Sequence, residues 1–235
     1  MTGRAPNSPA VMARRIEPAD SLDFFPTPPW ATRALCERLG SLGAPLHLLQ
    51  AWEPACGQGD MARPLSEYFD RVTATDVHDH GGPRTWQPDG IRDFLLALDT
   101  PDARPDWIIT NPPFRLAREF AETGLAQARA GVALLVRTAF LEGGERLEKL
   151  FRPHPPTLIL QFAERVPMVK GRLDAKVSSA TAYCWIVWDC AWRGPTLFEW
   201  IAPCRARLTR PGDYPETPAA LAPARDHLFT LPEAR

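Results

Sequence analysis

The segment "LHLLQAWEPACGQGD", residues 46–60, runs an apolar stretch into a turn that carries two glycines. The apolar part predicts a buried strand ending at Glu53. Gly57 and Gly59 let the backbone pass close to a ligand, and the helix expected over "MARPLSEYF", residues 61–69, aims its N-terminus at the same space. A second strand, "RVTATDV", carries Asp76 near its end, 19 residues after Gly57. Nucleotide-type folds place a carboxylate roughly 20 residues beyond the glycine turn, where it accepts both ribose hydroxyls. The pattern predicts a nucleoside-containing ligand. The turn is neither a G-x-G-x-x-G dinucleotide fingerprint nor a G-x-x-x-x-G-K-[ST] phosphate loop, and Glu53 would set a negative charge beside phosphate oxygens. A cationic ligand fits the carboxylate better.

Outward from this segment, strand-like runs alternate with helical patterns. "WATRALCERLGSL" precedes it with Ala31, Ala34, Leu35 and Leu39 on one helical face. After Asp76 come a short helix or turn, "IRDFLLAL", a strand, "DWIIT", a helix, "RLAREFAETGLAQARA", and a buried strand, "GVALLVR". The helix "GGERLEKLF" and two further strands, "PTLILQFAER" and "ATAYCWIVWDC", complete the series. Such alternation predicts an α/β fold with a mostly parallel sheet and helices on both faces. Only a loop separates the last two strands, so they are expected to form an antiparallel pair at one edge.

Composition fits this reading. The 235 residues suit one domain with extensions, and 45% hydrophobic with 23% charged residues argues against wholesale disorder or a fibrous repeat. The 26 prolines gather in loops and at the two ends. The expected organisation is a flexible tail over 1–20, the folded domain over 21–210 and a Pro-rich tail over 211–235. No apolar run reaches the roughly 20 residues that span a bilayer, and the first twenty lack a signal-peptide core, so a cytoplasmic location is expected. The five cysteines form no C-x-x-C pair and have no histidine in ligand spacing, which predicts free thiols and no metal site. A formal net charge of -1 gives no global attraction to nucleic acid, so contact with one must come from a local patch.

"DWIITNPPF", residues 106–114, drives the third strand into an asparagine, two prolines and a phenylalanine. A turn that only reversed the chain would need none of these. Two acceptors, the Asn111 side-chain oxygen and the Pro112 carbonyl, can take the two hydrogens of an aromatic amine and favour the geometry that frees its lone pair. Such bonds strengthen as positive charge develops on nitrogen. The prolines hold the acceptors still, and Phe114 offers a ring for base stacking.

Here the sequence resembles the class I S-adenosylmethionine-dependent amino-methyltransferases. "EPACGQG" is similar to their cofactor motif and "TNPPF" to their catalytic motif. "DFFPTPPWATRALCERL", residues 23–39, resembles the motif that gamma-type and phage DNA adenine-N6 methyltransferases place ahead of the cofactor loop. The resemblance spans about residues 23–188 and implies a Rossmann-like class I methyltransferase fold. It implies S-adenosyl-L-methionine as cofactor, with Thr27 and Pro28 at the methionine carboxylate. Glu53, Pro54, Ala55, Gly57 and Gly59 would lie along the methionine and ribose, and Asp76 at the ribose hydroxyls. Asp93 would accept from the adenine amino group, with Phe94 against that ring. Asn111, Pro112, Pro113 and Phe114 form the implied catalytic set.

Asparagine at the first motif position points within this family to adenine N6 in DNA. RNA bases, protein glutamine and a non-catalytic binding module remain as alternatives. Between Leu141 and Arg210 there are 11 Lys and Arg against 7 Asp and Glu, and Arg165, Lys170, Arg172 and Lys176 share the loop between the last two strands. They are candidate phosphate contacts. About 45 residues follow the last predicted strand. That is short for a separate target-recognition domain, so the enzyme is expected to read few bases, act on single strands or use a partner.

Overall fold

The structure, a computed structural model, describes residues 23–81, 86–96, 104–177 and 179–215. The proposed 1–20 tail and most of the 211–235 tail lie outside the described residues.

Eight strands form one sheet in the order β3-β2-β1-β4-β5-β7-β6-β8. They are β1 (Gln50–Glu53), β2 (Arg71–Asp76), β3 (Gly90–Ile91), β4 (Trp107–Thr110), β5 (Gly131–Arg137), β6 (Leu158–Phe162), β7 (Tyr183–Asp189) and β8 (Leu197–Ile201). Pairing is parallel from β3 through to β5 and again between β6 and β8. β7 runs antiparallel to both of its neighbours, β5 and β6. The expected antiparallel pair of β6 and β7 is present, with one further strand, β8, outside it.

Both faces of the sheet are covered, which is why the central strands are apolar at nearly every position. On one face, Ala133 and Leu135 of β5 and Trp185 and Val187 of β7 pack with α1 (Pro29–Ser41), α2 (Ala62–Leu65) and α5 (Arg205–Leu208). On the other, Val132, Leu134, Ile186 and Trp188 pack against α3 (Ala117–Gln127). Trp185 and Trp188, three apart, therefore enter opposite core layers.

Several expected boundaries shift. Leu46–Leu48 form a 3-10 turn with local hydrogen bonds, so β1 starts only at Gln50 and Leu48 is exposed. "IRDFLLAL" contributes the end of β3 and a turn to Leu96, and its last two residues lie outside the described ones. "GGERLEKLF" is one α turn, α4 (Gly144–Arg146), passing into a π turn over Leu147–Phe151.

The C-terminal part is tied to α1 by charge. The buried Arg33 guanidinium donates to Glu67 at 2.7 Å and to Asp213 at 2.6 and 2.9 Å, and Arg63 also reaches Asp213. Asp213, within the segment expected to be tail, is 1% exposed. Arg38 of α1 grips Glu199 of β8 with two bonds of 2.6 and 2.7 Å.

Candidate active site

The strand order reverses between β1, which leads outward to β2, and β4, which leads to β5. In open α/β sheets ligands bind beyond the strand C-termini at such a switch point. A cavity of about 200 Å³ opens there. It is bordered by Thr27, Glu53, Pro54, Ala55, Gly57, Asp76, Asp93 and Phe94, as well as Asn111 and Pro113. Five stretches far apart in sequence thus meet at one hollow. Pro28 and Gly59 do not border it. Pro28 is buried at the start of α1, its carbonyl accepting from Ala31 N at 2.9 Å.

The glycine turn has the geometry its residues allow. Gly57 and Gly59 have φ of +56° and +87°, in the left-handed region that side chains avoid. A methyl group on Gly57 would lie 2.4 Å from the Phe24 ring, and one on Gly59 would lie 2.2 Å from Trp86 Cβ. The turn is held to β2 by Asp76, whose carboxylate accepts from Gly57 N at 2.8 Å and from His78 N at 3.0 Å. Asp93 accepts from Leu95 N at 2.9 Å. Phe94 is 2% exposed and packs on Trp52 and Phe120, so it serves the core as well as the cavity wall.

The cavity is acidic. Glu53 Oε2 is buried without a hydrogen-bond partner. Burial, reinforced by the charges of Asp60 and Asp76, raises the Glu53 carboxyl well above its ordinary range, against a backbone hydrogen bond from Ala62. Burial pushes Asp60 up to about 6, opposed by Arg63. Three carboxylates crowded against a cavity favour a cation, which would lower the cost of ionising them together.

In the segment after β4, the Asn111 side-chain nitrogen donates to the Phe25 carbonyl at 2.9 Å and to Thr27 Oγ1 at 3.1 Å. Its Oδ1 is buried and has no partner. Pro112 is buried behind it. Phe114 does not border this cavity. It borders a second hollow of about 450 Å³ together with Arg115, Arg118, Phe140 and Arg146, and with Glu119 and Glu145. Phe114 is half-buried, with Phe25 at 5.2 Å and the Arg137 guanidinium over its ring.

Sequence reasoning assigned no role to residues 23–25, yet they join the loops of the site. Asp23 accepts from Phe114 N at 2.7 Å, Phe24 closes over Gly57, and the Phe24 carbonyl accepts from Gly171 N at 2.9 Å. His80, also missed, stacks on Phe24 at 4.4 Å with Nε2 3.4 Å from Asp76. The available signal was the pair of aromatics ahead of Pro26 in a proline-rich start. Arg165, Lys170, Arg172 and Lys176 are all exposed on the β6–β7 connection and none borders the cavity. Through Gly171 their loop is attached to the segment over the cavity mouth.

No family model matches the sequence, and no curated protein matches it. Its fold is that of class I methyltransferases. A protein from Listeria monocytogenes assigned to the class I S-adenosylmethionine-dependent methyltransferases superposes with a TM-score of 0.57 at 13% identity, over 77% of this chain and 67% of that one. A modification subunit assigned to a type I restriction enzyme of Vibrio vulnificus YJ016 superposes with a TM-score of 0.50 at 15% identity, over 78% of this chain. The chain spans about half, 48%, of that subunit's length. Among the described residues, no helix is long and apolar enough to cross a membrane.

Proposed function

We propose that the protein transfers a methyl group from S-adenosyl-L-methionine to the exocyclic N6 amine of adenine in DNA. The observation that carries this reading is the Asn111 amide: its nitrogen is committed to Phe25 and Thr27, and its oxygen is left as a buried, unpartnered acceptor beside the cavity. An orphaned acceptor is costly unless a ligand satisfies it.

The residues present fit the cofactor. Asp76 would take the ribose hydroxyls, Asp93 the adenine amino group and Glu53 the amino-acid end, while the acidic wall matches the positive charge of the sulfonium. When bound, the cofactor supplies an electrophilic methyl group. The chain supplies the rest. Asn111 Oδ1 and the Pro112 carbonyl accept the two hydrogens of the amine, turn its lone pair out of the ring and stabilise the positive charge that grows on nitrogen. The two prolines keep these acceptors in place, so little reorganisation is needed. The surplus proton passes to solvent.

Phe114, with the exposed Arg115 beside it at the second hollow, supports a nucleic acid as the polymer, because an aromatic ring with a nearby cation suits an extruded base and its phosphate. The likeness to a restriction-enzyme modification subunit supports DNA. The deciding experiment is incubation with methyl-labelled cofactor and, separately, duplex DNA, single-stranded DNA and total RNA, followed by nucleoside mass spectrometry. Labelled N6-methyldeoxyadenosine is expected. Label confined to RNA nucleosides, or absent from all nucleosides, would count against the assignment.

A further inference from the structure

The Asn111 amide has two ways to sit in its socket, related by a half-turn about the Cβ–Cγ axis. Only one points oxygen at the cavity. The Phe25 carbonyl can only accept, so the nitrogen must face it. A backbone carbonyl fixes one N–H; the second N–H needs its own acceptor, and Thr27 Oγ1 at 3.1 Å is a stronger one than the Met168 thioether sulfur, which also lies near the amide nitrogen at 3.8 Å. Thr27 is 3% exposed and stands at the head of α1, ahead of the buried Pro28 and Pro29. With both N–H groups engaged, the amide is fixed in rotation as well as in sense. Electron density is also drawn from nitrogen towards oxygen, which makes Oδ1 the stronger acceptor.

We propose, resting on the reading of Asn111 as the amine acceptor, that Thr27 is a positioning residue for that amide. It acts through Asn111. The resemblance in the sequence gave Thr27 a different part, at the cofactor's carboxylate. The two parts separate cleanly in kinetics. A residue that orients the acceptor changes turnover and leaves cofactor affinity alone, whereas a carboxylate contact changes cofactor affinity first.

The test compares Thr27→Val, of nearly equal shape but without the acceptor, with Thr27→Ser, which restores it. On an adenine-containing DNA oligonucleotide, the valine protein is expected to lose about tenfold in kcat, the scale of one hydrogen bond, with KM for S-adenosylmethionine within about twofold. The serine protein should recover kcat to within about twofold. A valine protein with full kcat, or with raised KM and unchanged kcat, overturns the proposal. Should valine prevent folding, Thr27→Ala against Thr27→Ser makes the same comparison, and equal turnover in the two overturns it. Asn111→Ala, run alongside, separates the two layers of argument. If it keeps turnover, the acceptor reading fails and the Thr27 role with it. If it is inactive while Thr27→Val is fully active, only the Thr27 role fails.

A second readout needs no turnover. The chain has two asparagines, Asn7 and Asn111, so selective asparagine labelling leaves two side-chain amides in an NMR spectrum of the free protein. In Thr27→Val, one Asn111 amide proton should move upfield and exchange faster with water, and an unchanged pair of signals would oppose the proposal.

Discussion

The guanidinium carbon of Arg137 lies 3.9 Å above the centroid of the Phe114 ring. Arg137 ends β5, the strand beside β4, and Phe114 follows β4, so neighbouring strands supply the cation and the ring. The Arg137 guanidinium takes one face of Phe114, and Phe25 and Tyr183 pack beside the ring at 5.2 and 6.4 Å.

Replacing Phe114 with alanine should weaken binding of single-stranded DNA by about 1 to 3 kcal/mol, the range of one base–aromatic stack, while Phe114→Tyr should bind normally. Fluorescence anisotropy with a labelled oligonucleotide reads this directly. Equal affinities for the alanine and native proteins would remove the ring from the substrate path.

Asp76→Ala should weaken S-adenosylmethionine binding by roughly one to two powers of ten, since a hydrogen bond to a charged group contributes about 1.5 to 3 kcal/mol. The loss has two parts: a contact to ribose, and the bond that steadies Gly57. Titration calorimetry measures it, and unchanged affinity would refute the ribose contact.

Acidity of the cavity should make both stability and affinity depend on pH, with opposite signs. In the folded protein Asp60 holds its proton up to about 6, against an ordinary value of 3.8. Between those values the folded state binds more protons than the unfolded one. This contribution therefore favours folding at low pH, declines as pH rises through the window, and levels off above about 6. A cation binds best once the carboxylate is charged, so affinity should climb over the same range. Calorimetry from pH 5 to 8 should show a steeper rise for S-adenosylmethionine than for its uncharged-sulfur product, S-adenosylhomocysteine. Parallel curves for the two ligands would place the sulfonium away from these carboxylates.

Arg33→Ala strands Asp213 and half-buried Glu67 without their main partner. Breaking a buried ion pair from one side costs about 3 to 5 kcal/mol, and urea unfolding should show a loss of that size. The exposed pair of Lys149 and Glu145 serves as the control, and its removal should cost under about 1 kcal/mol. Similar losses at the two sites would mean that the Arg33 cluster does not anchor the end of the chain.

The central fold was legible because apolar runs such as "GVALLVR" suit a strand covered on both faces, and because the spacing from Gly57 to Asp76 marks the turn and the second strand together. β8 escaped notice. Its residues alternate, with Leu197, Glu199 and Ile201 half-buried and Phe198 and Trp200 exposed, so neither face gives the polar pattern that marks a surface strand. Of the residues that border the cavity, Glu53, Asp76 and Asn111 were readable because each ends or follows a predicted strand, whereas Asp93 came from the resemblance alone. Phe24, His80 and the bond between Asp23 and Phe114 were not, since they depend on which distant loops the sheet brings together. Asp213 was missed for a related reason: nothing near it in sequence announces Arg33.

The bonds from residues 23–27 to the catalytic turn close loops of 84, 86 and 91 residues. Contacts so distant along the chain form late in folding, after local helices and strand pairs have narrowed the search. The segment leaves the ribosome first among these partners, yet it must wait until β4 and the turn beyond it have been made before it can settle. Completion of the pocket therefore spans a far longer stretch of chain than the pairing of β1 with β2 or of β4 with β5.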